Sequence, residues 1–235
     1  MRKENLLLAA LPDDERERLS PYLEKVGLEF QQVLIESNQE ITDIYFPYDA
    51  ITSTIQEMSD GDSVETGLMG VEGFIGVQLW LRARTTPTRT LVQVPGEAHH
   101  MSAVDFIHHV RDTRSPLNEL CGKYAHAFLV MTSQTAACNR LHPVNERLCR
   151  WLKLVHNRIR RDEFPIRQEF IAQMLGVHRP TVSTAASMLQ QAGLITYSRG
   201  QMRILDADGL KNGSCECLEL IEEQMAAVFD PAQTR

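Results

Sequence analysis

The 235-residue sequence contains no apolar run of the ~20 residues that a membrane-spanning helix needs, so no membrane partner is expected. Its start, Met1-Arg2-Lys3-Glu4-Asn5 followed by a short Leu-Ala stretch, breaks at Pro12. It carries neither the apolar core nor the cleavage region of a signal peptide, and the expected location is the cytoplasm. Cysteine is scarce. There are five, an odd number, mostly in helix-like segments, which argues for reduced thiols over a disulfide framework. The one close pair, Cys215 and Cys217, reads as part of a helix, where a two-residue step points the thiols to different faces. Such a pair chelates poorly, and no metal site is expected. A Walker-type glycine loop, a Gly-x-Ser-x-Gly elbow and a Cys-His-Asn or Ser-His-Asp set in a supporting context are all missing, so the expectation is not an enzyme.

Net charge is −7, which at first sight opposes nucleic acid. The distribution reverses that impression. Residues 140–205 hold 11 Lys/Arg against 4 Asp/Glu, which leaves the remainder near −14. Affinity for a polyanion is set by the face that meets the phosphates, not by the whole-chain sum.

Along the chain, residues 5–24 read as short helices, with Pro12-Asp13-Asp14-Glu15 as a start signal. Short β-rich runs follow at 32–35, 44–46, 51–58, 64–69, 90–94 and 98–101. Asp60-Gly61 between two of them predicts a type I′ hairpin, and Asp60 and Asp62 are explained by turn chemistry. Closely spaced strands with polar turns suggest a small roll or barrel. Residues 117–139 lack proline and keep one helical stripe, Leu117, Leu120, Tyr124, Phe128 (or Ala127), Met131 and Thr135, predicting a single long helix. A second helix is expected over 144–160, after His142-Pro143.

Residues 166–195 are the most informative. A first helix over about 167–175 would bury Ile171, Met174 and Leu175, with Ala172 allowing a close crossing. Gly176 supplies the positive φ of a tight turn, and Val177 plugs that turn. A second helix begins near His178 or Arg179 with Pro180 in its first turn. Val182, Ala185, Ala186 and Leu189 form its apolar stripe. Its other face presents Ser183, Thr184, Ser187 and Gln191, with Arg179 at the edge. That face is polar, short-chained and free of acids, as a helix in a major groove requires. Gly193 ends the helix, and two short strands then flank Ser198-Arg199-Gly200-Gln201. This is a hairpin with arginine at its tip, a wing.

With these stretches, Gly73-Phe74-Ile75-Gly76, and Gln134-Thr135-Ala136-Ala137-Cys138-Asn139-Arg140 at the end of the long helix, nearly the whole chain resembles the Crp/Fnr superfamily of bacterial regulators. The resemblance implies an α+β fold. An N-terminal β-roll sensor of the cyclic-nucleotide-binding-like jelly-roll kind would span 1–115, a dimerisation helix 116–140, and a C-terminal winged helix-turn-helix 141–209. The tail, 210–235, is expected to be helical, docked on the DNA domain or on the partner subunit. Carried over by position, Arg179 would contact bases and Gln168 would hold the phosphate backbone. Ser183 and Thr184 would join Arg179 as base readers, Arg167, Thr181 and Arg199 would position the backbone, and His178 completes the expected DNA-binding set. Implied partners are double-stranded DNA, a second copy through the long helix, RNA polymerase and a small-molecule effector.

The sequence departs from the best-known members in ways that bear on ligand and operator. Pro180 and Thr184 stand where those members have Glu and Arg, which argues against the cyclic-AMP receptor consensus operator. Gly76 is followed by Val77-Gln78-Leu79 without the Glu that meets a ribose, and the phosphate-binding Arg-Ser pair aligns with Thr86-Pro87. Arg82, Arg84 and Arg89 could substitute only with a redrawn loop. Without a charge-assisted donor a phosphate loses its strongest contact, so a cyclic nucleotide is not expected. The cysteine cluster of the iron–sulfur sensors is missing. His99-His100 would alternate faces on a strand, and with His108-His109 they read as surface or core residues, not haem or metal ligands. His126 on the long helix reads as a polar element of a dimer seam or as simply exposed. The effector is therefore left open. The rival reading is a sensor that acts through protein partners with a vestigial DNA domain, which would not need the basic balance of residues 140–205.

Overall fold

The computed structural model describes residues 4–230. The N-terminal part begins with α1 (Leu6–Ala9) and α2 (Asp13–Leu19), followed by β1 (Glu24–Leu28), β2 (Val33–Ile35), β3 (Asp43–Pro47), β4 (Ile51–Glu57) and β5 (Ser63–Met69). It continues through α3 (Val77–Trp80), β6 (Arg89–Val94), β7 (Gly96–Ser102) and α4 (Ala103–Val110). The strands form two antiparallel sheets, β1-β7-β3 and β2-β6-β4-β5. Asn5 fastens the N-terminus to this roll. Its side-chain amide donates to the carbonyls of Pro47 and Gly73, while its carbonyl caps α1.

The expected hairpin is present between β4 and β5, but its turn is not type I′. Only Gly61 of the connection 58–62 takes positive φ, at +91°. Asp60 stays at negative φ and accepts the Asp62 amide on its carboxylate, an Asx-type brace that a two-residue turn has no room for.

The long helix α5 (Pro116–Leu141) starts where Ser115 caps the Asn118 amide and Pro116 fills the first turn. It ends before Pro143, which disfavours helix at the preceding residue. Its inner face is welded to the roll by rings. Phe74 lies 5.4 Å from both Phe106 and Tyr124 and 5.9 Å from Phe46. Gly73 and Gly67 let the strands approach this face. A Cβ at Gly73 would fall 2.0 Å from the Tyr124 ring, and one at Gly67 2.7 Å from Phe128.

The C-terminal part comprises α6 (Val144–Ile159), β8 (Glu163–Pro165), α7 (Gln168–Leu175), α8 (Arg179–Gln191), β9 (Ile195–Ser198), β10 (Gln201–Ile204), α9 (Ala207–Asn212) and α10 (Cys217–Ala227). The wing has a third strand, in the order β8-β10-β9. In the tail, α10 packs along its own chain's α5, burying Leu218, Ile221 and Met225; residues 231–235 lie outside the described residues. Cys215 is not helical, contrary to expectation. It sits in the link between α9 and α10, and only Cys217 opens the helix, so the two thiols are free to point the same way. Among the described residues no helix is long and apolar enough to cross a membrane.

A buried ion pair joins the C-terminal part to the roll, and a buried carboxyl of the roll lies near it. Arg158 of α6 pairs with Glu72 at 2.6 Å, both almost fully buried. Glu65 of β5 is buried and accepts the Ser53 hydroxyl at 2.5 Å. Burial pushes its carboxyl above the usual range, against the opposing pull of Ser53 and of Arg150 on α6.

Candidate nucleic-acid interface

The helix-turn-helix follows from local chemistry. Gly176 takes φ +58° at the end of α7, and the Val177 amide returns to the Ala172 carbonyl at 3.0 Å, closing the turn. His178 occupies the cap position before α8, and Pro180 lies in the first turn, where a missing N–H costs little. Val182, Ala185, Ala186 and Leu189 are buried towards α6 and α7. Ser183, Thr184, Ser187 and Gln191 are exposed, and α8 carries no acidic residue. The Thr184 and Ser187 hydroxyls donate to the carbonyls of Pro180 and Ser183, at 3.1 and 2.8 Å.

The wing tip is the true left-handed turn of the molecule. Arg199 and Gly200 have φ +49° and +78°, the type I′ signature. The Tyr197 hydroxyl donates to the Ile166 carbonyl at 3.0 Å and holds the wing against the entry to α7.

The expected residues divide into groups. Arg167, Gln168, Arg179 and Arg199 surround one shallow concavity of about 340 Å³, together with Glu169 and Tyr197. Ser183 and Thr184 lie on the open face of α8. His178 and Thr181 line a different cleft, which α7 and α8 share with the β4–β5 connection at Met58, Gly61 and Asp62. There Gln173 donates to the Ser63 hydroxyl at 2.9 Å; elsewhere on α7, Phe170 lies 5.8 Å from Phe30. Sequence reasoning did not single out Glu169. Its carboxylate pairs with Arg179 Nε at 3.1 Å on an exposed surface and competes with any other anion for that guanidinium.

The basic balance of residues 140–205 needs a correction of its own. Arg147, Arg150 and Arg158 are buried. Arg147 donates to the Leu175 carbonyl and to Asn139, so it braces the turn from inside. The exposed positive charge is carried by residues such as Arg160, Arg167, Arg179, Arg199 and Arg203. His99 and His100 each find an ordinary partner on the roll, the Tyr48 ring and the Asp43 carboxylate.

Residues 146–212 match the Crp-like helix-turn-helix domain family. No curated protein matches the sequence. Among solved structures, the chain is similar to a protein assigned to the Crp/Fnr family of transcriptional regulators from Eubacterium rectale, with TM-score 0.67 and 16% identity, covering 88% of this chain and 96% of that one. It is also similar to the c-di-GMP responsive global regulator CLP of Xanthomonas campestris, with TM-score 0.65, 16% identity and coverage of 82% and 99%. A third is a CRP-family transcriptional regulator from Thermus thermophilus, with TM-score 0.63, 12% identity and coverage of 81% and 96%. Residues 146–212 thus match the Crp-like helix-turn-helix domain family, in a chain that shares the fold of solved Crp/Fnr transcription regulators.

Proposed function

We propose that the chain is a sequence-specific regulator of transcription that binds double-stranded DNA as a homodimer on a two-fold symmetric operator. The observation that carries this reading is the pairing of an exposed, acid-free α8 face with a concavity bordered by Arg167, Arg179 and Arg199. In the major groove, Arg179, Ser183 and Thr184 read base edges. Arg167, Gln168, Thr181 and Arg199 fix the backbone, and His178 sits at the helix N-terminus beside them. The working division is sensor 1–115, dimerisation helix 116–140, DNA-binding domain 141–209 and tail 210–235.

The dimer runs through α5. Its outer face leaves His126, Leu129, Ser133, Ala136, Ala137 and Arg140 exposed, a strip at alternating three- and four-residue spacing like that of paired helices. The effector is a small molecule other than cyclic AMP. Val77 and Leu79 are buried in α3 where a ribose would need an acid, and the Thr86 hydroxyl is engaged with Thr88.

Selection of bound sequences from a random duplex library, at two salt concentrations, tests the reading. A recovered palindrome with half-sites about 34 Å apart, bound less tightly at higher salt, is expected. Recovery of an asymmetric single half-site contradicts the dimer, and binding without sequence preference contradicts the regulator.

A further inference from the structure

At the end of α5, away from the DNA-facing surface, three thiols and an imidazole converge. Cys138 lies in the last turn of the helix and His142 caps it, four residues on. The link into α10 brings Cys215 and Cys217 against them. The Cys138 and Cys215 sulfurs are 3.5 Å apart, and Cys217 Sγ is 3.5 Å from His142 Nδ1. All four donor atoms lie within 4.8 Å of one another. A tetrahedral zinc with Zn–S of about 2.3 Å and Zn–N of about 2.0–2.1 Å sets S···S near about 3.8 Å and S···N near about 3.6 Å. The two close contacts match these spacings to a few tenths of an ångström. The three sulfurs are buried in a small cluster of their own, apart from the main core.

The surroundings suit a cation. The Nε2 atom of His142 faces the Glu216 carboxylate at 3.2 Å, which leaves Nδ1 as the free lone pair, the orientation that a carboxylate gives to metal-binding histidines. The Gln134 amide donates to Cys217 Sγ at 3.1 Å and supports a thiolate there. Arg150 acts electrostatically on Cys138, and Arg147 on both Cys138 and Cys215, which offsets the excess negative charge of three thiolates around a dication. A Cys138–Cys215 disulfide would account for two of the four groups and leave the aim of Cys217 and His142 unexplained.

We propose that Cys138, His142, Cys215 and Cys217 bind a zinc ion in a closed, structural site that staples the tail to the joint between α5 and α6. Binding displaces the three thiol protons and needs no oxidant. The test uses the full chain, expressed with added zinc and purified without chelator. Metal analysis should find about one zinc per chain, and thiol titration after denaturation with chelator should find all five cysteines reduced. Cobalt in place of zinc should show the charge-transfer bands of a tetrahedral thiolate site. Glu216 is exposed, so Glu216→Ala should fold and weaken zinc binding about 10–100-fold in a chelator competition. Cys217→Ser should lose the metal, while Cys149→Ala, outside the cluster, should keep it. Zinc that is absent, or indifferent to both Cys217→Ser and Glu216→Ala, overturns the proposal. So does the loss of two thiols to a Cys138–Cys215 disulfide.

Discussion

Two arginines on the rim of the same concavity are assigned different work, and single substitutions separate them. Arg179→Ala should cost about 1–3 kcal/mol of operator binding and relax specificity at one base position in each half-site. Arg199→Ala should weaken operator and random DNA alike and lower the salt slope by about 1, if the wing-tip arginine meets phosphate as proposed. Titrations of both variants on both DNAs at several salt concentrations check this, and an exchange of the two phenotypes would reverse the assignment. Glu65 offers a second test, of stability. Burial raises its carboxyl above the usual range. The protein therefore loses this stabilising contribution as pH climbs from the ordinary carboxylate range through the raised value. Glu65→Gln has no such loss, so its melting temperature relative to the parent should rise as pH climbs above the ordinary carboxylate range; a pH-independent difference would mean that Arg150 and Arg158 already neutralise the charge. The two arginine roles were proposed from the sequence, but the surroundings of Glu65 were not legible there. Arg150 and Arg158 counted there as surface charge, because composition does not distinguish a guanidinium facing solvent from one facing a buried carboxylate.

Among the elements, α6 joins sensor to reader through the buried Arg158–Glu72 pair. Glu72→Ala strands a guanidinium in the core and should cost about 3–5 kcal/mol in denaturant unfolding. Replacing both residues by methionine should cost less than that single change, and a double variant as unstable as Glu72→Ala would show that packing, not charge, was lost. The elements themselves were readable to differing degrees. The two helices of the reading head and the wing followed from Gly176, Pro180, Gly193 and the apolar stripe of α8, since each is a strong local signal that tertiary packing agrees with. β1 escaped because Glu24–Leu28 is mostly exposed along its length and holds Gly27, so no alternation marks it. β8 escaped because three residues ending in Pro165 look like a loop until β10 pairs with them. The Cys-Glu-Cys pair misled for a related reason. Helical geometry was assumed two residues too early, and the Cys138-x-x-x-His142 spacing, the available clue, lay 77 residues from Cys215.

For the whole molecule, the strip along α5 decides between a lone chain and a pair. Leu129 is 64% exposed there, on a helix whose other sides pack against the roll and α10. Leu129→Glu should yield monomers by sedimentation and lose operator binding, while Arg179→Ala should stay dimeric; a Leu129→Glu protein that still sediments as a dimer would place the interface elsewhere. The rings of Tyr124 and Phe74 give α5 a second meaning. If the proposed dimer forms, one rod serves both as a wall of the roll and as the surface for the second subunit, and the two events then draw on one equilibrium. A ligand of the roll that tightens DNA binding must itself be held more tightly by the DNA-bound protein, and by the same factor. Saturating operator thus becomes a reagent for finding the unknown effector, because it raises the affinity of the very ligand being sought.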